Sequence, residues 1–387
     1  MSCCKLILPL LLSLCLIVTG ILPCYASETP AAEGDTLSLP CKSAVLMEAS
    51  TGQILYAHNP DEAMPPASVT KIMTLLLIME CIEAGTLGWE DTVTASAHAA
   101  SMGGSQIFLK EGERMSVRDL VKSVVIASAN DAAVALAEHT YGSEEAFVTR
   151  MNERAAELGM VSTHFENTNG LDDTAVHHVT SAKDIALMSR ALITHGEILT
   201  YSSTWTDSIR DGAFGLTNTN RLVRYYPGCN GLKTGSTAKA GFCVSVTAEQ
   251  HGMTLICVIM GAESRDVRNE AARKLLDWGF ARFGLFVSPE GSLSPIRVTR
   301  GEKDEVGLVY PAFTAVLPKG DLAAVEHSVS LPESLKAPVL PGEAVGTITY
   351  TCKGRTLGEV SVLTAEGSPS LGFFTLWLRM LGGWVGV

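Results

Sequence analysis

The stretch Pro65-Pro66-Ala67-Ser68-Val69-Thr70-Lys71, followed by an almost wholly apolar run to Ile82, restricts the fold more than any other feature. It predicts a turn and then a buried helix. Pro66 ends the preceding segment and Ser68 stands at the helix start. Ser68 and Lys71 are three residues apart, so on a helix they share a face, one turn apart. A serine hydroxyl is a poor nucleophile until a base takes its proton. A lysine one turn away serves if its pKa is lowered, by burial against Ile72 and Leu75 or by another cation nearby. The free N–H groups of a first helical turn favour developing negative charge. The same spacing also describes an N-cap serine beside a solvated lysine, so the pair needs partners downstream.

The chain has 387 residues and is 47% apolar, enough for two domains and a sizeable core. Its 29 Lys plus Arg stand against 41 Asp plus Glu, a net charge of −12, which argues against a nucleic-acid partner. The first 26 residues read as an export signal. Lys5 gives a positive end, Leu6 to Leu22 is almost wholly apolar, and Cys24-Tyr25-Ala26 supplies small residues for cleavage after Ala26. An uncleaved anchor is the alternative. Six cysteines remain beyond this segment: Cys41, Cys81, Cys229, Cys243, Cys257 and Cys352. None has zinc spacing, so no metal site and no cofactor is expected. Cys243 and Cys257 lie on consecutive strand-like runs, where a favourable register permits a disulfide.

Residues 27–287 read as the larger domain. Strands are expected at Ser43–Glu48 and Gln53–Ala57 around the turn Ser50-Thr51-Gly52. Helices are expected at Ser116–Ile126, Ala132–Tyr141, Glu144–Leu158, Ala182–His195 and Val267–Phe283. Ala127-Ser128-Ala129-Asn130-Asp131 is a small polar break between two of them, a bend whose side chains can point into a cleft. Phe242–Ala248 and Met253–Met260 are β-rich runs joined by Glu249-Gln250-His251-Gly252. Strands and helices mix without regular alternation, which favours α+β.

Ser288–Pro295 reads as a linker. Beyond it, residues 296–365 carry six short strand-like runs separated by Gly and Pro, a small all-β domain. The segment 368–387 differs again. Phe373, Phe374, Trp377, Met380, Leu381 and Trp384 form one apolar face of a helix. From Leu371 onward the helix is about 25 Å long at 1.5 Å per residue. That is short for a bilayer core of about 30 Å. The expected partner is a membrane surface, with the helix lying in the interface; the alternative is docking on its own domain.

Three pieces line up in order: Ser68-x-x-Lys71, Ser128-Ala129-Asn130 and Lys233-Thr234-Gly235. Together they resemble the signature of class A β-lactamases and penicillin-binding proteins. Each suits attack on an amide: Ser68 as nucleophile, Lys71 as base, Ser128 as proton relay to the leaving nitrogen. Asn130 can hold Lys71 or the substrate, Lys233 and Thr234 supply charge and a hydroxyl, and Gly235 permits close approach. Backbone N–H groups of Ser68 and Ser236 suit an oxyanion hole.

The stretches Pro66–Thr74, Ser128–Ala132, His164–Asp172, Gly231–Thr237 and Lys274–Phe280 extend the likeness over nearly the whole chain beyond residue 26. They resemble the low-molecular-mass penicillin-binding D-alanyl-D-alanine carboxypeptidases. The resemblance implies a β-lactamase/transpeptidase-like catalytic domain with an antiparallel sheet flanked by helices. It implies removal of the terminal D-Ala from peptidoglycan stem peptides, covalent inhibition by β-lactams, and a site at the outer face of the cytoplasmic membrane. It also implies substrate contacts at Asn130, Lys233, Thr234, Gly235, Ser236, Thr237 and Arg268. Arg268 is expected on the substrate carboxylate; Ser236 departs from members that have His there. Two alternatives stand beside this. A β-lactamase needs a second base, for which Glu166 is the candidate. A catalytically silent peptidoglycan-binding protein needs none of the triple.

Overall fold

A computed structural model of the chain describes residues 37–172, 175–372 and 377. The expected export segment lies outside them, as does the expected 371–387 helix apart from Leu371, Gly372 and Trp377.

The centre is a five-stranded antiparallel sheet. Its strands are β1 (Ser43–Glu48), β2 (Ile54–His58), β3 (Cys229–Thr237), β4 (Gly241–Gln250) and β5 (Met253–Ala262), in the order β2-β1-β5-β4-β3. The first hairpin turns where expected because the Glu48 carboxylate accepts from the Ser50 and Thr51 amides and hydroxyls, and Gly52 takes φ +72°. The β4–β5 hairpin is tighter than its sequence suggests. Its strands run to Gln250 and from Met253, leaving only His251 and Gly252 in the turn, both with positive φ.

Helices α1 (Lys71–Glu83), α2 (Val117–Ile126), α3 (Asn130–Tyr141), α4 (Glu144–Glu157) and α5 (Ala182–Ile193) form a layer on one face. Helix α6 (Arg265–Arg282) covers the other. Ser116, Ser143, Ser181 and Ser264 each cap a helix by accepting from the amide three residues on. Helix α1 is buried from Lys71 to Met79, the central position that its all-round apolar sequence requires. Each buried leucine or isoleucine there contributes about 1.5–3 kcal/mol.

Strand alternation separates the two faces. Val45, Met47, Cys243, Ile256, Val258 and Met260 pack in the core on the helical-layer side. Leu46, Val244, Val246, Leu255, Cys257 and Ile259 pack beneath α6. Cys243 and Cys257 therefore point to opposite faces, and Cys257 stands opposite Val246, so both are free thiols and no disulfide joins them.

Helix α6 runs directly into strand β6 (Phe283–Ser288). The segment Ser288–Pro295, read as a linker, is mostly strand: β7 spans Gly291–Thr299. The pairing of β7 with β8 (Glu305–Tyr310) slips between Leu293 and Ile296, and Pro295 sits in that bulge. Then follow β9 (Phe313–Pro318), β10 (Val325–Ser330), β11 (Leu335–Lys336), β12 (Ala344–Cys352) and β13 (Arg355–Thr364). They build a six-stranded sheet β10-β12-β13-β8-β7-β11 and a β6-β9 pair around a third core. The expected α+β architecture with a small β-rich domain is present. Ser368 and Ser370, expected in the terminal helix, instead bridge Val339 and Gly301, with Ser368 and Val339 exchanging both backbone hydrogen bonds.

Gly279 lets α6 lie against the sheet. A Cβ there falls 2.5 Å from Leu46 Cδ2 and 2.8 Å from Leu255 Cδ1. Gly279→Ala must lift the helix or shift both leucines. The expected loss is about 1–3 kcal/mol, read as a lower urea midpoint with unchanged slope.

Candidate active site

Ser68 lies in a single 3₁₀ turn, Ala67–Thr70, that leads into α1. Ala67 holds the left-handed conformation at φ +51°, uncommon for a residue with a Cβ. Its carbonyl accepts from Thr70 Oγ1 at 2.8 Å and is pressed by Gly170, where a Cβ would come within 1.9 Å of that oxygen. Two buried elements thus set the turn that carries Ser68.

Lys71 Nζ is fully buried and has three neighbours: Ser68 Oγ at 2.9 Å, Asn130 Oδ1 at 2.6 Å and the Asn169 carbonyl at 2.8 Å. The Asn130 amide is oriented by Nδ2 donating to the Gly103 carbonyl at 2.7 Å, which turns Oδ1 to Lys71. Burial pushes the Lys71 amine well below the ordinary lysine range, the Lys233 cation pushes it further, and Asp131 opposes them. A neutral amine has two N–H bonds and one lone pair. The Asn169 carbonyl and Asn130 Oδ1 can only accept, so they take the two N–H groups. The lone pair then faces the Ser68 hydroxyl.

The bend between α2 and α3 places Ser128 beside these groups, at φ +63°. Lys233 Nζ donates to Ser128 Oγ at 2.8 Å and to the Thr234 carbonyl at 2.9 Å. Lys233 is 1% exposed, and its pKa is lowered to about 7, first by burial and then by the Arg268 cation. Asp131, next to Asn130, is not part of this chain of contacts. Its carboxylate accepts from the Ile107 and Leu109 amides and fastens the segment after Gly103.

Strand β3 is an edge of the sheet. It passes so close to the Ser68 turn that a Cβ on Gly235 falls 2.7 Å from Ser68 N and 2.8 Å from the Pro66 carbonyl. Thr234 Oγ1 donates to Thr219 Oγ1 at 2.8 Å. Ser236 is exposed on the edge, and Thr237 Oγ1 accepts from Ala240 N at 3.0 Å, which leaves its own proton to donate.

Arg268 is buried near the start of α6. Its Nε and Nη2 donate to Asn269 Oδ1, and Nη1 is 3.4 Å from the Cys243 carbonyl. Burial and then Arg265 lower its pKa to about 10. It reaches this site as a charge felt by Lys233. Glu166 is exposed, and its carboxylate accepts from the Val176 and His177 amides of its own loop.

Ser68, Lys71, Ser128, Asn130, Lys233, Thr234 and Gly235 thus converge from three distant segments, with Ser236 and Thr237 continuing along the edge. Sequence reasoning did not single out the Asn169 carbonyl, Thr219 or Thr70. The Asn167-x-Asn169-Gly170 spacing was the available signal, since Asn and Gly mark a turn held by side-chain bonds. Asn167 Oδ1 accepts from the Asn169 and Gly170 amides.

The family model described as D-alanyl-D-alanine carboxypeptidase matches residues 28–264, and that described as the penicillin-binding protein 5 C-terminal domain matches 287–369. The D-alanyl-D-alanine carboxypeptidase DacF of Bacillus subtilis is 39% identical over 355 residues, 90% of this chain and 91% of that protein. The crystal structure of penicillin-binding protein 5 from Haemophilus influenzae covers 87% of this chain and all of its own, with 30% identity and a TM-score of 0.77. Penicillin-binding protein D2 of Listeria monocytogenes, solved in its ampicillin-bound form, covers 64% of this chain and all of its own, with 34% identity and a TM-score of 0.59. With two thirds of the chain or more matched by relatives above 30% identity, this protein belongs to the D-alanyl-D-alanine carboxypeptidase family of penicillin-binding proteins.

Proposed function

We propose that the chain is a serine-type D-Ala-D-Ala carboxypeptidase acting on peptidoglycan stem peptides through an acyl-enzyme on Ser68. The observation that carries this reading is the set of contacts around Lys71 Nζ: two obligate acceptors and the Ser68 hydroxyl. Ser68 Oγ attacks the carbonyl of the penultimate D-Ala, and Lys71 takes the hydroxyl proton. The oxyanion is held by the Ser68 and Ser236 amides. The C–N bond breaks, and the leaving nitrogen receives its proton through Ser128 Oγ. Free D-alanine departs, and water then hydrolyses the ester. Asn130, Thr234, Gly235, Ser236 and Thr237 receive the substrate along the edge of β3. Lys233 and Arg268 supply positive potential for the terminal carboxylate, with Arg268 as its guanidinium contact.

The β-lactamase alternative is not favoured. Glu166 is engaged by the amides of its own loop, and Asp131, the carboxylate whose charge acts on Lys71, is taken by backbone amides. A silent binding protein has no use for a buried lysine held 2.9 Å from a serine hydroxyl. Residues 27–287 serve as the catalytic domain and 296–365 as the β-rich domain. Residues 1–26 direct export, and the aromatic face of 371–387 attaches the enzyme to the outer face of the cytoplasmic membrane. No helix among the described residues is long and apolar enough to cross a membrane.

Purified protein lacking residues 1–26 should release D-alanine from a diacyl-Lys-D-Ala-D-Ala peptide over many turnovers. With penicillin it should give a near-stoichiometric burst and little hydrolysis afterwards. Ser68→Ala abolishes both; Glu166→Ala changes neither by more than a few-fold. Sustained penicillin turnover that collapses in Glu166→Ala overturns the assignment.

Lys71→Ala should lose acylation by at least about 10²-fold. Lys71→Arg, always charged and without a lone pair, should lose as much. Fluorescent-penicillin labelling on protein checked for an intact thermal transition reads both. Arg268→Ala should lose most peptide turnover and keep penicillin acylation; unchanged peptide kinetics rejects its carboxylate role. A chain ending at Gly372 should stay active and fail to co-sediment with anionic vesicles that the longer chain binds.

A further inference from the structure

Behind the Ser68 turn lies a directional chain of hydrogen bonds that the reaction itself does not use. The Glu166 amide donates to His178 Nδ1 at 3.0 Å. His178 Nε2 is 2.8 Å from Thr70 Oγ1, and Thr70 Oγ1 donates to the Ala67 carbonyl at 2.8 Å. Every direction in this chain is determined. A backbone N–H can only donate, so Nδ1 carries no proton. The neutral ring then carries its proton on Nε2 and donates to Thr70 Oγ1. The Ala67 carbonyl can only accept, so the Thr70 proton goes there.

The ring is held from several sides. Thr70 is fully buried and His178 nearly so. Val179 exchanges both backbone hydrogen bonds with His164, and Thr180 does the same with Met64, which leads into Pro65-Pro66-Ala67. The Phe165 ring meets the imidazole edge-on at 5.6 Å between centroids. The Glu166 carboxylate binds the Val176 and His177 amides and closes the loop around it. The charged and titratable groups facing the ring are Glu166, which favours its cation, and His164, which opposes it. Burial dominates and lowers the His178 pKa to about 4, so the ring is neutral at working pH.

We infer that His178 is a positioning residue which, through Thr70, holds the Ala67 carbonyl and hence the left-handed backbone that aims Ser68 at Lys71. This rests on the reading of Ser68 as the nucleophile. The chain ends one residue before Ser68, on the residue at φ +51°. A turn in that conformation persists only where its surroundings over-determine it. Gly170 supplies the steric half, and the His178–Thr70 pair supplies the polar half. A displaced Ser68 costs about 10²-fold when the misplacement reaches 1 Å.

The test uses the protein without residues 1–26 and a fluorescent penicillin. In Thr70→Val and in His178→Phe, the maximal acylation rate should fall by about 10- to 100-fold. The encounter affinity should stay within about threefold, because the substrate-facing edge is untouched. Thr70→Ser, which keeps the hydroxyl, should recover to within a few-fold. The double variant should be no slower than the slower single one, because both break one chain. In the unsubstituted protein, long-range ¹H–¹⁵N spectra at pH 6.5 should show one buried histidine as the neutral Nε2–H tautomer, lost in His178→Phe. An Nδ1–H or charged His178, acylation by Thr70→Val within twofold of the parent, a multiplicative double variant, or Thr70→Ser as slow as Thr70→Val overturns the inference. Failure of the unsubstituted protein to acylate strikes instead at the assignment of Ser68, and the tautomer remains readable in that event.

Discussion

Two lysines, Lys71 and Lys233, sit where water cannot reach them, and the rest of the catalytic region is arranged around that fact. An isolated ammonium buried in this way is costly, and the structure meets the cost differently at each. At Lys71 burial and the nearby Lys233 favour the neutral amine, and each of the two donors and the lone pair of that form has a partner of matching polarity. At Lys233 burial and the Arg268 cation bring protonation to the edge of neutrality, so a modest anion shifts it to the charged form. For Lys233 the pKa is lowered, so between about 7 and the ordinary lysine value the unfolded chain binds more protons than the folded one. Lys233 therefore opposes folding fully below about pH 7, and the opposition fades as pH rises through that window; the lowered pKa of Lys71 acts in the same direction.

The partners come from segments far apart in the chain: the α1 turn, the α2–α3 bend, the Asn167–Gly170 loop and the edge strand β3. None of them is organised alone. Gly235 and Gly170 are the two points where backbone meets backbone around Ser68, and a Cβ at either meets the turn at 2.7 Å or less. The loop is braced by side chains, its own and one from helix α4. Asn167 receives two amides, and Thr168 donates to Glu144 from both its amide and its hydroxyl. The carbonyl that Asn169 offers to Lys71 is fixed by those bonds.

The α+β class, the order of the main helices and the convergence of the three motifs were legible because each has a local signature: period, cap, or residue type at fixed spacing. The parts that were not legible share a different character. The Asn169 contact is made by a carbonyl, which every residue carries, so no residue type marks it. Cys243 and Cys257 failed to pair because strand parity decides which face a side chain takes, and a register shift in the β4–β5 pairing could not be counted from sequence. Ser288–Pro295 carries every mark of a linker, yet β7 runs through it, because a bulge tolerates a proline that a regular ladder would reject. His178 reads in sequence as one more loop histidine; only its two opposed partners give it a role.

The same geometry bears on why a peptide and a penicillin part ways at one serine. On the proposed reading both give an ester on Ser68, and both leave Lys71 as the base for water. A departing D-alanine vacates the edge of β3 and lets water in beside Lys71. A ring-opened penicillin keeps its nitrogen tethered over that space. Rapid release would then need a base approaching from another side. Glu166, the candidate for that base, has its carboxylate held by two amides of its own loop. Its backbone amide meanwhile holds His178. Turning Glu166 inward would break the closure of the loop that steadies the Ser68 turn. On this scaffold a second hydrolytic base at that position and a fixed nucleophile compete for the same residues.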